Sequence, residues 1–128
     1  MVEDSGAFSA EVMSFVRAYL RSVWSLELLL LMRQKSDRIW AIDELTQELR
    51  ASDLIVGRII QDFQQFGLVI ESSPGKFRYS AANSALHELV DQIAKLYAVR
   101  PVAMIDAIVN SPKHRIQSFA DAFKFKRR

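Results

Sequence analysis

Residues 39–80 read IWAIDELTQELRASDLIVGRIIQDFQQFGLVIESSPGKFRYS, a run in which two helical periods are separated by a short turn and followed by two short strands. In the first period, Ile42, Leu45 and Leu49 recur at the spacing of one helix face. The run RAS then interrupts this pattern, and its serine, Ser52, suits the N-cap of a second helix. The apolar stripe of that second helix consists of Val56, Ile59, Ile60 and Phe63.

A β-hairpin is predicted directly after the second helix. Gly67 can adopt the left-handed conformation that ends many helices. Residues 68–70 favour a strand, residues 71–75 contain the turn pair Pro-Gly, and residues 76–79 alternate as a return strand. Because successive side chains of a strand point to opposite faces, the aromatic and basic residues of the return strand separate. Phe77 and Tyr79 lie on one face, and Lys76 and Arg78 lie on the other.

This order of elements resembles the winged helix-turn-helix modules of bacterial transcription regulators, including the multiple-antibiotic-resistance type and the phenolic-acid-regulator type. The resemblance covers residues 22–80. It rests on the run DELTQELRAS, the FGLV exit from the second helix, the strand KFRY, and the spacing of Val56, Ile60 and Phe63. It implies a mainly α fold, with a three-helix core plus a small β-wing and additional N- and C-terminal helices.

The resemblance also implies a function, that of a transcriptional regulator that binds double-stranded DNA. In such regulators the second helix lies in the major groove, and the wing reaches the backbone or the minor groove. By position, Arg58 and Gln61 would read bases here. The rest of the implied interface comprises Arg50, Lys76 and Arg78 on the phosphate backbone, Ser52 capping the helix and touching phosphate, and Asp53, Leu54, Ile55 and Gly57.

The implied reading face contains residues that suit a different partner. Base edges are usually met by polar or basic side chains, whereas Leu54 and Ile55 are apolar. Asp53 and Asp62 would meet phosphates with like charge. The alternative is a winged-helix adaptor that binds another protein, with Leu54 and Ile55 as a small apolar docking surface ringed by charges.

Composition favours one globular domain over residues 1–128, since 50% of the residues are hydrophobic and 25% are charged. The chain has no cysteine, which excludes a disulfide framework, a thiol nucleophile and a thiolate metal site. The formal net charge is +2, but residues 113–128 hold six basic residues against Asp121. A DNA-binding face therefore has to come from local clusters. These clusters are Arg33, Lys35 and Arg38 before the first strand, Arg50 in the turn, and Lys76 and Arg78 on the wing.

Neither a membrane span nor a secretory signal is expected. The apolar run at residues 23–32 is ten residues long and contains Glu27, whereas a helix that crosses a bilayer needs about 20 apolar residues. The N-terminus carries Glu3 and Asp4 and lacks the basic-then-apolar order of a secretory signal. We therefore expect a cytoplasmic protein.

No catalytic site, metal site or cofactor is expected. His87 and His114 lack ligand-like spacing to carboxylates. No serine lies in a G-x-S-x-G turn, and no glycine-rich phosphate loop occurs. Glu44 and Glu48 share a helix face, which is typical of a solvated acidic surface. The expectation is a protein that is not an enzyme.

Further helices are expected on both sides of the winged segment. Residues 9–20 should form an N-terminal helix, and residues 22–33 an apolar central helix of the core. Residues 39–41 should form a short strand that pairs with the wing. Trp24 and Trp40 are expected as core anchors.

Residues 83–125 should form the C-terminal helices and a possible dimerisation region. Asn83 caps a long helix to about residue 99, and residues 101–109 form the next one. Ser111 and Pro112 then begin a last helix, because Pro suits the first helical position. The final run, FKFKRR, either grips phosphate or an acidic partner or is a solvated C-terminus. The apolar side of the last helix consists of Ile116, Phe119, Ala120 and Phe123.

The long helix carries the prediction of a homodimer. Its residues Leu86, Val90, Ile93 and Tyr97 approximate a heptad row, which allows two copies of a helix to pack against each other. A symmetric dimer would address successive major grooves and a near-palindromic site. The simpler alternative is that this row packs on its own domain.

Overall fold

The computed structural model describes residues 8–110, which form a mainly helical structure with a small antiparallel sheet. The elements run in the order expected from the sequence. The helices are α1 Ala10–Tyr19, α2 Val23–Gln34, α3 Ile42–Leu49, α4 Asp53–Phe66, α5 Ser84–Val99 and α6 Pro101–Val109, and the strands are β1 Trp40–Ala41, β2 Val69–Ser73 and β3 Lys76–Tyr79.

Short polar side chains begin four of the helices, and two of these caps, Ser52 and Asn83, were predicted from the sequence. Each accepts a hydrogen bond from a backbone N–H of the first turn, which satisfies a donor that has no partner within the helix. The left-handed conformation expected at Gly67 is also present, with φ 81°, and it ends α4. The four capping residues are Ser9 for α1, Ser22 for α2, Ser52 for α4 and Asn83 for α5.

The buried side chains form one cluster, to which each of the described helices contributes. Trp40 is fully buried and anchors this core, as expected, whereas Trp24 is 41% exposed, so the expectation for Trp24 was wrong. Trp24 lies in the first turn of α2, to one side of the buried stripe Ser25, Leu29 and Met32, so its ring reaches solvent. The largest fully buried side chains are Trp40, Phe63, Leu20, Leu26, Leu28, Leu29, Met32, Leu45, Ile60, Leu68, Ile93 and Met104.

The sheet has the strand order β1-β3-β2 and is antiparallel throughout. Trp40 pairs with Phe77, which confirms the predicted pairing of the short strand with the return strand. β2 is longer than predicted and continues through residues expected in the turn as far as Ser73. The turn tightens because the Glu71 carboxylate accepts the N–H of Gly75, and Gly75 takes φ 75°.

Helix α5 packs on its own domain along the heptad-like row Leu86, Val90, Ile93 and Tyr97. Val90 and Ile93 are fully buried, and Leu86 and Tyr97 pack against the core. This row is therefore occupied within one chain and is not available as a dimer contact, which corrects that expectation. Periodicity shows that a helix face is apolar, but it does not show which surface covers that face.

Polar contacts fix α5 against α2. The guanidinium of Arg33 donates from Nε to Asp91 Oδ1 at 2.9 Å and also forms an ion pair with it. The hydroxyl of Tyr97 donates to Glu27 at 3.0 Å. The pKa of Asp91 is lowered, chiefly because its carboxylate accepts this hydrogen bond from Arg33.

Within residues 8–110, none of the helices combines the length and apolarity that a bilayer crossing requires. The last predicted helix, the FKFKRR run and the acidic N-terminus lie outside the described residues.

Candidate nucleic-acid interface

A short turn joins α3 to α4 and determines where α4 begins. Arg50 ends α3 with φ 56°, and it is the sole residue other than glycine with positive φ among residues 8–110. Ala51 donates its N–H to the carbonyl of Thr46, and the Ser52 hydroxyl accepts the N–H of Ile55 at 3.2 Å. Only residues 50–52 separate the two helices, and Ser52, Asp53 and Leu54 at the start of α4 are exposed.

Helix α4 is held by one face and presents the other to solvent. Its stripe Val56, Ile59, Ile60 and Phe63 is buried, as the sequence predicts. On the opposite side, Leu54, Arg58 and Gln61 are spaced by four and three residues, so they share one outward row. All three are exposed, and Leu54 is 72% exposed.

Ile55 does not belong to the outward row. It is half-buried and packs against the core, so the expectation of an exposed pair Leu54 and Ile55 was wrong for Ile55. Consecutive helix residues are rotated by about 100°, which turns Ile55 towards the side of buried Ile59. The apolar surface at the start of α4 therefore consists of Leu54 alone.

Gly57 lies beside the outward row and leaves open space on the helix surface. A Cβ added there would meet nothing within 4 Å. Packing within the chain therefore does not require glycine at this position, although glycine inside a helix costs about 1 kcal/mol relative to alanine. A glycine on an outward helix face permits another molecule to approach the backbone closely.

The hairpin of β2 and β3 packs directly against α4 and carries the predicted basic residues. Phe77 and Tyr79 are buried, while Lys76 is exposed and Arg78 is half-exposed opposite Ile70, as the alternation predicts. The hairpin therefore presents its cations on the face that points away from the core.

Tyr79 connects the hairpin to α5 through a contact that no sequence spacing indicated. A hydrogen bond of 2.9 Å joins its hydroxyl to Nδ1 of His87. Burial raises the pKa of the Tyr79 hydroxyl, and nearby Arg33 opposes that shift. His87 itself is exposed, as expected for a residue on a helix surface. This contact fixes the base of the hairpin.

The basic residues around α4 form two groups. Some have no carboxylate partner among the described residues, and the others pair with groups of the same fold. Within the part of the chain that the structure describes, no carboxylate forms an ion pair with Arg50, Arg58, Lys76 or Arg78. Two carboxylates interrupt this basic set, because Asp53 lies exposed in the first turn of α4 and half-buried Asp62 lies further along it.

Two cations of the cluster predicted before the first strand are used internally. Arg33 pairs with Asp91. Arg38 lies 3.8 Å above the ring centroid of Trp40 and 3.8 Å from the carboxylate of Glu44. Only Lys35 of that cluster is exposed without an ion pair to a described residue, which corrects the expectation of a three-residue basic cluster.

Glu44 also has a structural role, which changes the interpretation of its pairing with Glu48. Its Oε1 accepts the backbone N–H of Ala41 at 2.8 Å and so closes the first turn of α3.

Among residues 8–110, no group of three or more histidine, aspartate and glutamate side chains is arranged to hold a metal ion.

The residues named from the sequence are thus brought together on one structural unit. The turn supplies Arg50 and Ser52, α4 supplies Asp53, Leu54, Gly57, Arg58 and Gln61, and the hairpin supplies Lys76 and Arg78. Comparison of the chain with protein-family models, curated proteins and solved structures finds no significant match.

Proposed function

We propose that this protein is a winged helix-turn-helix regulator of transcription that binds double-stranded DNA and catalyses no reaction. In this proposal α3 and α4 form the helix-turn-helix, and the hairpin of β2 and β3 forms the wing. α4 enters the major groove, and the wing contacts the backbone or the minor groove. The protein would act in the cytoplasm as a dimer, by a contact other than the α5 row.

One observation carries the proposal. α4 is anchored by a fully apolar inner stripe, while its outward row Leu54, Arg58 and Gln61 is exposed beside the cationic hairpin. Arginine and glutamine are side chains that read guanine and adenine edges by paired hydrogen bonds, and leucine fits the methyl group of thymine. Leu54, Arg58 and Gln61 therefore offer a contact to thymine, to guanine and to adenine at successive turns of α4.

The basic residues of the interface set the expected strength of phosphate binding. Arg50, Arg58, Lys76 and Arg78 are four cations that no described carboxylate neutralises. If each contacts one phosphate, the logarithm of the binding constant falls with the logarithm of salt concentration with a slope of about −3.6 for each protomer. With this slope, phosphate contacts alone give weak binding at physiological salt, so the base contacts have to add affinity.

Substitution of the wing cations tests the proposal. The variant Lys76→Ala with Arg78→Ala should flatten the salt slope by about 1.8, because two phosphate contacts are lost. The matched control is Lys95→Ala, which removes an exposed cation from α5, outside the proposed interface. Fluorescence anisotropy with labelled duplex DNA measures both variants. Equal slopes for the two variants would contradict the proposed wing contact.

A second candidate function is a protein-binding adaptor. The observation that favours it is the 72% exposure of Leu54 next to Asp53, since an exposed leucine beside a carboxylate suits a protein surface better than a phosphate backbone. In this case Leu54→Ala would abolish binding of the protein partner, whereas the wing variant would leave that binding intact. Under the DNA proposal, Leu54→Ala changes sequence preference and leaves the salt slope unchanged.

A further inference from the structure

Helix α5 carries a second row of side chains beside the row that packs into the core. In this second row, which we call the α5 side row, the residues are spaced by four and three positions in turn, which is the spacing of a seam between two helices. The row consists of Ala85, Leu89, Gln92, Leu96 and Val99. Leu89 and Leu96 are half-buried, whereas the other three are exposed, and Val99 is 78% exposed. The described chain therefore leaves much of this row open to solvent.

An open groove continues the α5 side row towards α1. Its volume is about 450 Å³, and Leu86 and Leu89 line it on the α5 side. Its lining on the α1 side includes the small residues Ala10, Ser14 and Ala18. Small side chains allow another helix to approach closely, because the distance between packed helices depends on the side chains at the contact. A helix that packs on the α5 side row therefore also covers this groove.

We propose that the α5 side row is the dimer contact of this protein, covered by the same row of a second copy of the chain in the antiparallel direction. This inference names the surface of the dimer in the proposed function. It rests on that dimer but not on DNA binding. Two properties of the row favour a second copy as its occupant, because the row is complementary to itself in size and in charge.

The complementarity in size appears when the row is aligned with itself in the opposite direction. The N-terminal end of the row is small, since exposed Ala85 follows exposed Ala82 just before the helix, and the C-terminal end carries Leu96 and Val99. In an antiparallel pair centred between residues 90 and 91, Ala85 lies opposite the partner's Leu96, and Ala82 lies opposite the partner's Val99. Small residues thus face large ones, which is the arrangement that lets two helix surfaces interdigitate.

The complementarity in charge selects the antiparallel direction. Glu88 and Lys95 are seven residues apart, so they lie on the same edge of the row, and both are exposed. Neither forms an ion pair with another described residue. In the antiparallel pair Glu88 lies beside the partner's Lys95 on both sides of the two-fold axis, whereas a parallel pair places like charges together. Charges that flank a helix seam set the choice and the orientation of the partner.

The size of the contact is that of a modest dimer. From residue 85 to residue 99 the row is about 21 Å long, at about 1.5 Å per residue. A contact made mainly by one helix from each copy belongs with the small interfaces, which bury less than about 1,200 Å² in total. Two copies held on neighbouring DNA sites have a raised local concentration, which strengthens such a contact. In the absence of DNA we therefore expect a dimer that dissociates on dilution.

Charge reversal tests the proposal in the full chain without DNA. Glu88→Lys and Lys95→Glu each change an exposed side chain, and each places like charges opposite one another on both sides of the axis. Each variant should weaken dimerisation at least about tenfold. Analytical ultracentrifugation over a series of protein concentrations measures the dissociation constant of the dimer. The matched control is Glu48→Lys, which reverses an exposed charge on α3 and should leave dimerisation unchanged.

Mixing the two variants tests the pairing of Glu88 with the partner's Lys95. An equimolar mixture of Glu88→Lys and Lys95→Glu should recover the mass of the dimer, because one chain then carries two cations and the other carries two carboxylates at the paired positions. The double variant should recover the dimer as well, since it exchanges the two charges.

Three results would overturn the proposal. If the unchanged protein stays monomeric at the highest concentration, no second copy covers the row. If neither reversal weakens the dimer, the dimer uses another surface. If the mixture of the two variants stays monomeric, Glu88 does not pair with the partner's Lys95. Because none of these measurements includes DNA, a failure of the dimer contact is distinguished from a failure of DNA binding.

Discussion

Replacement of Arg50 by glycine should raise the stability of the protein and lower its affinity for DNA. Arg50 has φ 56°, a left-handed conformation that costs a residue with a side chain about 1–2 kcal/mol. Glycine avoids this cost but loses about 0.5–1 kcal/mol of chain entropy on folding. The net gain is therefore about 0–1.5 kcal/mol. Arg50 is exposed and forms no ion pair with a described residue, so none of this gain is offset by a lost ion pair. The same change removes one cation from the turn before α4, so the salt slope for DNA should flatten by about 0.9.

Two assays on the same variant separate the geometric argument from the functional one. Urea denaturation of Arg50→Gly measures the free energy of unfolding, and anisotropy with duplex DNA measures the slope. Arg50→Lys is the control, since it keeps both the charge and the left-handed strain and should leave both quantities near those of the unchanged protein. Lower stability of Arg50→Gly would refute the account of the turn. An unchanged slope would refute the role of Arg50 at the interface.

Further substitutions test the recognition helix, the core and the contact between α2 and α5. Gly57→Ala should increase the free energy of unfolding by about 1 kcal/mol in urea denaturation, because a Cβ meets open space there. Its DNA affinity, measured by anisotropy, should fall, because the added methyl group keeps DNA away from the α4 backbone. Ile93→Ala should cost about 2–5 kcal/mol in urea denaturation, since Ile93 is fully buried, and it should leave the molecular mass by light scattering unchanged. Asp91→Asn should destabilise the protein at neutral pH but not in strong acid. The pKa of Asp91 is lowered by Arg33, so its stabilisation is present above the ordinary aspartate pKa and is lost as the pH falls through the folded value. A difference between Asp91→Asn and the unchanged protein that persists in strong acid would contradict this role.

The local features of the fold could be predicted from the sequence because short-range chemistry determines them. Ser52 and Asn83 cap their helices, and Gly67 ends α4, since each position needs a property that few residue types supply. The inner stripe of α4 followed from helical periodicity. The alternation of Phe77 and Arg78 on β3 followed from strand periodicity.

The features that were predicted wrongly depend on contacts between distant elements. The α5 row has the spacing of a dimer contact, but Val90 and Ile93 are buried by their own domain. Arg33 had the charge of a DNA contact, yet its partner Asp91 is 58 residues away in the chain. Neither the burial of the α5 row nor the contact between Arg33 and Asp91 can be predicted from local periodicity. The turn after β2 was misplaced because Glu71 and Ser73 remain paired with Phe77 and Lys76 of β3.

The candidate interface could be assembled from the sequence only as a set of positions. The resemblance to winged-helix regulators placed Arg58, Gln61 and Lys76 on one unit, and the structure shows them exposed. The sequence could not show that Leu54 stands alone, since the rotation between Leu54 and Ile55 relative to the core depends on how α4 packs. The sequence likewise could not show which basic residues have no carboxylate partner among the described residues, because the ion pairs within the fold have to be located first.

A salt titration of the unchanged protein shows whether α4 and the hairpin bind duplex DNA. Fluorescence anisotropy with random and genomic duplexes, from low to physiological salt, measures the binding constant. We expect measurable binding at low salt, a slope of about −3.6 for each bound protomer, and a preference for some genomic fragments. The absence of binding at the lowest salt would mean that α4 and the hairpin do not bind DNA.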